Sequence, residues 1–223
     1  MKISNGSGKA LKILITAGPT VEKIDPVRFM SNRSTGYMGY ELASEARRRG
    51  CPVTLISGPT CMKPPKAVRF LRIESARELY TMVHKELSKA DVLIMTSAVC
   101  DFKPTHILRN KIKKANLFIL KLRKNKDILA SLSKRERENK FIAGFALETK
   151  NLLGNAQKKL EEKSLDLIVC NKADKRNMPF GTGLKTVYLL DKCGRKKKLE
   201  KKNKVQIARA ILDTIEELCY TPN

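Results

Sequence analysis

The chain has 223 residues, 42% of them hydrophobic, enough to bury the core of one large α/β domain. Lysine and arginine total 46 against 22 acidic residues, a net charge of +24 that makes nucleic acid, anionic membrane and polyphosphate compounds candidate partners. No run of 18 apolar residues occurs, which argues against a spanning helix; six scattered cysteines without a C-x-x-C pair and only two histidines argue against a zinc framework and for free thiols in a cytoplasmic protein.

Residues 1–10 are polar and read as a floppy tail and not a signal peptide, leaving 11–223 as a single domain. Within the tail, Gly6-Ser7-Gly8-Lys9 imitates the end of a P-loop, but Ala10 stands where Ser or Thr is required. Residues 12–17 (KILITA) form an apolar, β-branched run stopped by Gly18-Pro19, as expected of a buried parallel strand. A polar stretch, 20–35, precedes Gly36 and Gly39 and a helix whose apolar stripe is Tyr40, Leu42, Ala43 and Ala46, closed by Gly50. Strand 52–57, helix 76–87 and strand 91–96 continue the alternation. Beyond them, helix 128–138, strand 141–146, helix 155–163, strand 165–169 and a closing helix 205–218 are expected, with additional strands at 118–122 and 186–190. The basic residues at 195–198 and 201–204 read as a solvated turn and its flanks. Repeated βα alternation predicts an α/β fold: a Rossmann-like, doubly wound, mostly parallel sheet with helices on both faces.

Ligands of such sheets bind outside the carboxyl ends of the strands, so the segments to inspect are 18–39, 96–114, 145–149 and 171–183. The loop after the first strand carries Arg28, Asn32, Ser34 and Gly36 into a helix start, a good place to hold a phosphate or carboxylate. It is not the tight G-x-G-x-x-G turn, and Gly181-Thr182-Gly183 lacks the third glycine, so a nicotinamide-dependent oxidoreductase is disfavoured. A basic RNA-binding module is disfavoured because aromatic residues make up only 5% of the chain and do not interleave with the cations. Thr96, Ser97 and Ala98 end a strand in small residues beside Asp101, and Lys111, Lys113 and Lys114 follow. Lys159 and Lys163 lie four apart on one helix face, where they repel unless an anion lies between them.

Taken together, ILITAGPT-x-E-x-IDPVRF-x-SN-x-S-x-G-x-MG (13–39), VTLISGP (53–59), SAV-x-DF (97–102), KIKK (111–114), GFALET (144–149) and LDLIVCN (165–171) resemble the phosphopantothenoylcysteine synthetase family, in order over nearly the whole chain. The resemblance implies a ligase that joins 4′-phosphopantothenate to cysteine through an acyl-cytidylate, using CTP and a divalent cation (Mg2+ or Mn2+) and releasing pyrophosphate and then CMP. An ATP-using version is the alternative; the KIKK segment is closer to the CTP-using bacterial members. The resemblance further implies a homodimer, with the extra strands serving dimerisation and the active sites near the subunit interface. It places Arg28, Asn32, Ser34 and Gly36 at the substrate. Asp101 and Lys111 would contact the nucleotide, with Lys113 and Lys114 completing a flap; which residues hold the divalent cation is unknown from the sequence. Thr96, Ser97, Ala98, Lys126, Asp127, Ile128, Leu129, Phe145, Lys159 and Lys163 would complete the CTP pocket. Asn32 and Lys111 are the expected catalytic residues, with the Asn32 amide donating to the developing oxyanion of the second step.

The first strand begins within a dozen residues, so no decarboxylase domain is expected before it and FMN is not expected. A separate flavin-dependent decarboxylase would act next on the product. Three departures from the family pattern stand out: Lys126 replaces a proline before Asp-Ile, Thr96-Ser97 replace smaller residues, and Cys100 replaces a small residue beside Asp101. None removes a charged group.

Overall fold

Strand-forming runs and amphipathic segments alternate along the chain much as their periodicity predicts. In chain order the elements are β1 (Ile13–Ala17), β2 (Val21–Lys23), β3 (Phe29–Ser31), α1 (Tyr37–Arg48), β4 (Val53–Ser57), β5 (Arg69–Arg72), α2 (Ala76–Leu87), β6 (Val92–Met95) and β7 (Phe102–Pro104). They continue with β8 (Leu122–Lys124), α3 (Lys134–Arg137), β9 (Phe141–Glu148), α4 (Leu152–Glu162), β10 (Leu167–Lys172), β11 (Lys185–Asp191), β12 (Lys196–Lys202) and α5 (Lys204–Tyr220). The structure is a computed structural model and describes residues 10–114, 116–173 and 183–220. The tail at 1–9 and most of the loop 171–183, including Gly181, lie outside the described residues.

Eight strands form one sheet in the order β12-β11-β10-β9-β6-β1-β4-β5. The run from β5 to β10 is parallel throughout, and β11 and β12 extend it antiparallel. In that parallel run the chain starts in the middle at β1, winds outward through β4 and β5, then returns to lay β6, β9 and β10 on the other side. This is the doubly wound order, with its reversal between β1 and β6.

Because successive strand side chains point to opposite faces, β1 splits its core residues: Ile13 and Ile15 pack with α1 and α5, and Leu14 packs with α2 and α4. Helices therefore cover both faces, as expected. α1 and α5 meet through Leu42, Ala43 and Ala46 against Ile207, Ala208 and Ile211. The barely exposed Arg49 also ties them together, pairing with Glu45 at 2.9 Å and with Asp213 at 2.8 Å.

Four expectations need correction. The polar stretch 20–35 is not a plain loop, since it contains the hairpin β2-β3. Residues 118–121 are irregular, and the strand there is β8, which pairs with β7. The helix expected over 128–138 is a turn at 128–131 followed by the one-turn α3. Ser133 starts a new helix with a capping box to Glu136, and Asn139, at φ 56°, ends it. The basic run at 196–202 is a strand and not a turn: Leu199 alone faces the core, and the lysines line the sheet edge, where charge deters pairing with other chains. No helix among the described residues is long and apolar enough to cross a membrane.

Candidate active site

The β1 and β6 strands do not part at their carboxyl ends. Ala98 N donates to Gly18 O and Thr20 N donates to Ala98 O, which extends the pairing into both following loops. The hydroxyls that the family pattern lacks have partners on β1: Thr96 Oγ1 donates to Thr16 O at 2.5 Å and Ser97 Oγ to Ala17 O at 3.1 Å. Thr96 and Ser97 are thereby folded back onto the strand, and the crevice beyond stays open.

α1 starts directly above this point. Gly36 caps it in the left-handed region (φ 76°) and has no side chain to accept from the helix; Thr35 Oγ1 accepts from Tyr37 N at 3.5 Å. Ser34 Oγ accepts from Gly36 N at 3.3 Å. The next contact is tight: a Cβ on Gly39 would lie 2.6 Å from Ala17 Cβ and 2.7 Å from Thr96 Oγ1. Glycine here lets the helix start sit on the strand ends, with uncapped N–H groups aimed into the crevice.

Two adjoining cavities occupy the crevice. The larger, about 660 Å³, lies between the α1 start and the ends of β9, β10 and β11. Asn32, Ser34, Gly36, Thr96, Ser97, Ala98, Asp101 and Phe145 line it. The smaller, about 490 Å³, is bounded by Asp101, Lys126, Asp127, Ile128, Leu129 and Lys163. Ser97, Val99, Asp101 and Phe145 belong to both walls, so the cavities meet along the loop after β6.

In the smaller cavity one cation has its own carboxylate. Lys163 pairs with Asp127 at 2.9 Å. Burial works against the Asp127 charge, but the Lys163 ammonium and the N–H groups of Ala130 and Leu129 more than offset it and hold the carboxyl below its usual range. Lys159 also has its own carboxylate, Glu148 at 2.6 Å, and lies outside both cavity linings. The expected repulsion between Lys159 and Lys163 is thus relieved by two separate acids. Lys126, in the family's proline position, lies over the Tyr80 ring of α2 at 5.2 Å.

Asn32 is fixed in an orientation that bears on its expected role. Nδ2 donates to Ala98 O at 3.1 Å and to Val99 O at 3.0 Å. Two carbonyls cannot face an amide oxygen without repulsion, so they determine which end is which. Both donors are spent, and Oδ1 is the end left to interact with a ligand. This geometry does not fit Asn32 as an oxyanion donor. Cys100 is buried, with burial pushing its thiol up, and it is not positioned as a nucleophile.

Arg28 and the flap lysines are brought together, but not into the cavities. Asp25, with its side chain fully buried, accepts from Val27 N, Arg28 N and Ile112 N, and pairs with Arg28 Nη1 at 2.7 Å. Arg28 Nη1 also donates to Ile112 O at 3.2 Å. The Ile112 and Val27 N–H groups outweigh burial and hold Asp25 well below the usual carboxylate range. The segment with Lys111, Lys113 and Lys114 is therefore clamped to the β2-β3 hairpin, and none of these residues, nor Arg28, lines either cavity.

Outside the segments singled out from sequence, the larger cavity is lined by two charged residues, Lys185 at the start of β11 and Lys204 at the start of α5. A signal existed for each. Lys185 takes the inward place in the alternation it shares with Val187 and Leu189, and Lys204 puts a cation at a helix start, against the dipole. Among the described residues no three His, Cys, Asp or Glu side chains converge as a metal site.

Residues 8–219 match the family described as DNA/pantothenate metabolism flavoprotein C-terminal domain. The coenzyme A biosynthesis bifunctional protein CoaBC of Borreliella burgdorferi is 42% identical over 207 residues, 92% of this chain and 52% of the relative. The Bacillus subtilis protein of the same name is 39% identical over 208 residues, 92% of this chain and 51% of the relative. The chain thus spans about half the length of these curated relatives. The crystal structure of the C-terminal domain of a CoaBC protein superposes with a TM-score of 0.82 at 36% identity, covering 98% of both chains. The sheet order, the α1 start above the switch point and these similarities lead to one assignment: the chain belongs to the family of the DNA/pantothenate metabolism flavoprotein C-terminal domain.

Proposed function

We propose that this chain is a phosphopantothenate–cysteine ligase: it activates 4′-phosphopantothenate with CTP and transfers the acyl group to the cysteine amine. The observation that carries this reading is the pair of cavities meeting at Ser97, Val99, Asp101 and Phe145, one topped by an uncapped helix start and the other lined by Lys126, Asp127 and Lys163. A two-substrate condensation needs two such compartments with a common wall. Membership of the family supports the same assignment.

In the first step a carboxylate oxygen attacks the α-phosphorus of the nucleotide, the bond to the bridging oxygen breaks, and pyrophosphate leaves with the electron pair. The smaller cavity is assigned to the nucleotide, with Lys126 and Lys163 beside the accumulating charge and Ile128 and Leu129 as apolar floor. Mg2+ would neutralise part of the pyrophosphate charge, and Asp101, which lines both cavities, is the carboxylate available to hold it together with the nucleotide's own phosphates. In the second step the cysteine nitrogen attacks the acyl carbon, CMP leaves, and the nitrogen's proton goes with the departing phosphate. Asn32 Oδ1, the free end of the amide, is assigned to accept an N–H of that amine and aim its lone pair at the acyl carbon. No step changes an oxidation state, so the reaction gives FMN no role.

Arg28 and Lys111, Lys113 and Lys114 are assigned to the site of a second copy in a homodimer. The hairpins that carry or flank them expose Val27 (61%), Phe29 (59%), Phe102 and Leu122, an apolar face of the kind a subunit contact covers. Residues 11–223 are proposed as a single catalytic domain acting in the cytoplasm, its product passing to a flavin-dependent decarboxylase.

Pyrophosphate release tests the reading. It should require 4′-phosphopantothenate and a nucleotide, with CTP preferred over ATP, and amide product should require cysteine. Retention of RNA without turnover, or ATP turnover exceeding that of CTP, would count against it.

A further inference from the structure

Tyr80 and His84 of α2 line neither cavity, yet both hold the turn that walls the smaller one. His84 reaches between α3 and the turn at 128–131: Nε2 lies 3.0 Å from Ser131 Oγ, and Nδ1 is bonded to Glu136 Oε1. Tyr80, one helical turn earlier, has the His84 ring at 4.4 Å and the Lys126 ammonium at 5.2 Å. Lys126, Asp127, Ile128 and Leu129, which run toward Ser131, line the smaller cavity.

Ser131, His84 and Glu136 stand in the order of a hydrolase triad, but the serine is not free to react. Its Oγ lies 2.7 Å from Ile128 O, which can only accept, so the hydroxyl proton is committed there. Its N–H donates to Asp127 O and is not available to an oxyanion. The same count of donors determines the state of the ring. Ser131 Oγ has only a lone pair left for Nε2. Glu136 Oε1 likewise offers Nδ1 only a lone pair: the Ser133 hydroxyl and N–H, bonded to the other oxygen, hold the carboxyl down to about 2 against burial, and the His84 ring adds to this. Both ring nitrogens therefore face acceptors, and the form that satisfies both is the imidazolium. The groups around it are Tyr80 from α2, Glu136 from α3, Ser131 from the turn and Lys126 beyond Tyr80; Arg137, the other cation near Glu136, is bonded to Leu129 O and Leu132 O.

We propose that His84 is a positioning residue for the nucleotide site, an imidazolium tie between α2, α3 and Ser131 that shapes the smaller cavity and slackens when the ring loses a proton. A neutral ring keeps a single N–H. If Nδ1 keeps it for Glu136, the Ser131 hydroxyl must leave Ile128 O to donate to Nε2; if Nε2 keeps it, Glu136 loses its donor and faces a lone pair. Either way one bond that holds the turn or α3 is lost. With its side chain 20% exposed, the ring is sheltered yet within reach of solvent protons. The inference rests on the ligase reading for the occupant of the smaller cavity and on the hydrogen-bond geometry for the tie.

The test compares His84→Gln and Glu136→Gln with wild type across the histidine range, from about pH 6 to about pH 9. Taking the ratio of variant to wild-type KM for CTP at each pH cancels the titration of the nucleotide itself. At the acid end each variant should raise KM for CTP about three- to tenfold and keep kcat and KM for 4′-phosphopantothenate within about twofold. At the alkaline end the ratio should fall toward one, because wild type has by then lost the same tie. Glutamine still serves the capping box, so Glu136→Gln leaves the cap of α3 in place. The double variant should do no more than either single one. Two measurements on wild type need neither variant nor turnover: nitrogen NMR should show both His84 nitrogens protonated at the acid end, and amide protection factors of Ala130, Ser131 and Leu132 should fall as pH rises. A KM ratio that is flat with pH, an unchanged KM, or a singly protonated ring at the acid end overturns the tie. Wild type that shows the protonation-linked protection but releases no pyrophosphate from any nucleotide would sink the ligase reading and leave the tie standing. Turnover with a flat ratio removes the tie alone.

Discussion

The two cavities lie side by side and share a wall, yet they manage charge in opposite ways. In the smaller one Lys163 is paired with Asp127 before any ligand arrives. In the larger one Lys185 and Lys204 are both nearly buried, the Lys185 charge helps depress the Lys204 pKa, and Glu41 opposes that only in part. A matched pair costs little to keep and can be displaced by a metal-bound nucleotide that comes and goes. An unmatched pair stores an electrostatic cost that only an anion relieves, which favours a tightly held substrate.

The largest effect expected from breaking this contrast is at Gly39. Gly39→Val would drive a side chain into Ala17 and Thr96 and push the α1 start off the strand ends. Stability should fall by about 2 kcal/mol and turnover by about a hundredfold, with nucleotide binding retained; denaturant titration, pyrophosphate release and CTP binding measure the three. Lys163→Ala, on the matched side, should raise KM for CTP by about tenfold and leave that for 4′-phosphopantothenate nearly unchanged. It should also let the Asp127 pKa climb. That carboxyl is depressed in the fold, so its stabilising contribution is present above the unfolded value near 3.8 and is lost as pH falls through the lower folded value. An NMR titration of Asp127 in both proteins reads this directly.

Lys204 carries the opposite sign. Its folded pKa lies below 10.5, so the penalty is fully present at neutral pH and is relieved as pH rises through the folded value toward 10.5. The groups facing it are Lys185, Glu41 and Tyr37, and the Tyr37 hydroxyl is held above its usual value by Glu41, so it stays neutral in this window. Wild type should therefore gain on Lys204→Met between pH 7 and pH 10, by no more than about 1.4 kcal/mol per pH unit, in paired thermal melts. The smallest effect should come from Ser133→Ala, which removes the capping box of α3 at a cost of about 1 kcal/mol. Arg137 of α3 bonds Leu129 O and Leu132 O, so the turn lining the smaller cavity should loosen and KM for CTP rise a few-fold.

What the sequence revealed in advance follows from where periodicity and charge agree. Helix 76–87 was legible to the residue because Ser75 caps it and its apolar stripe is unbroken. β5 was passed over and β12 was read as a turn and its flanks, because these edge strands are rich in arginine and lysine; Leu199 is the lone buried residue of β12. The helix start at Gly36 and the small residues at 96–98 were legible as a ligand site because backbone approach demands such residues. Lys185 and Lys204 were not singled out, being two more lysines in a chain of 46 cationic residues. Only the antiparallel return of β11 and the docking of α5 bring them to one cavity.

The position of Lys204 at the first turn of α5 has a consequence for how the protein is made. That helix is synthesised after the other described elements, yet it packs against α1 and supplies Ile207, Ile211 and Ile215 to the core around the first strand. Contacts between elements so far apart in the chain slow folding, and the earlier strands must wait with one apolar face uncovered. The larger cavity is completed only when α5 docks, since Lys204 and Ile207 line it, so ligand binding and the docking of α5 draw on the same contacts. A molecule that fills the cavity should shift the docked and undocked populations of α5 and protect the chain from proteolysis at that helix.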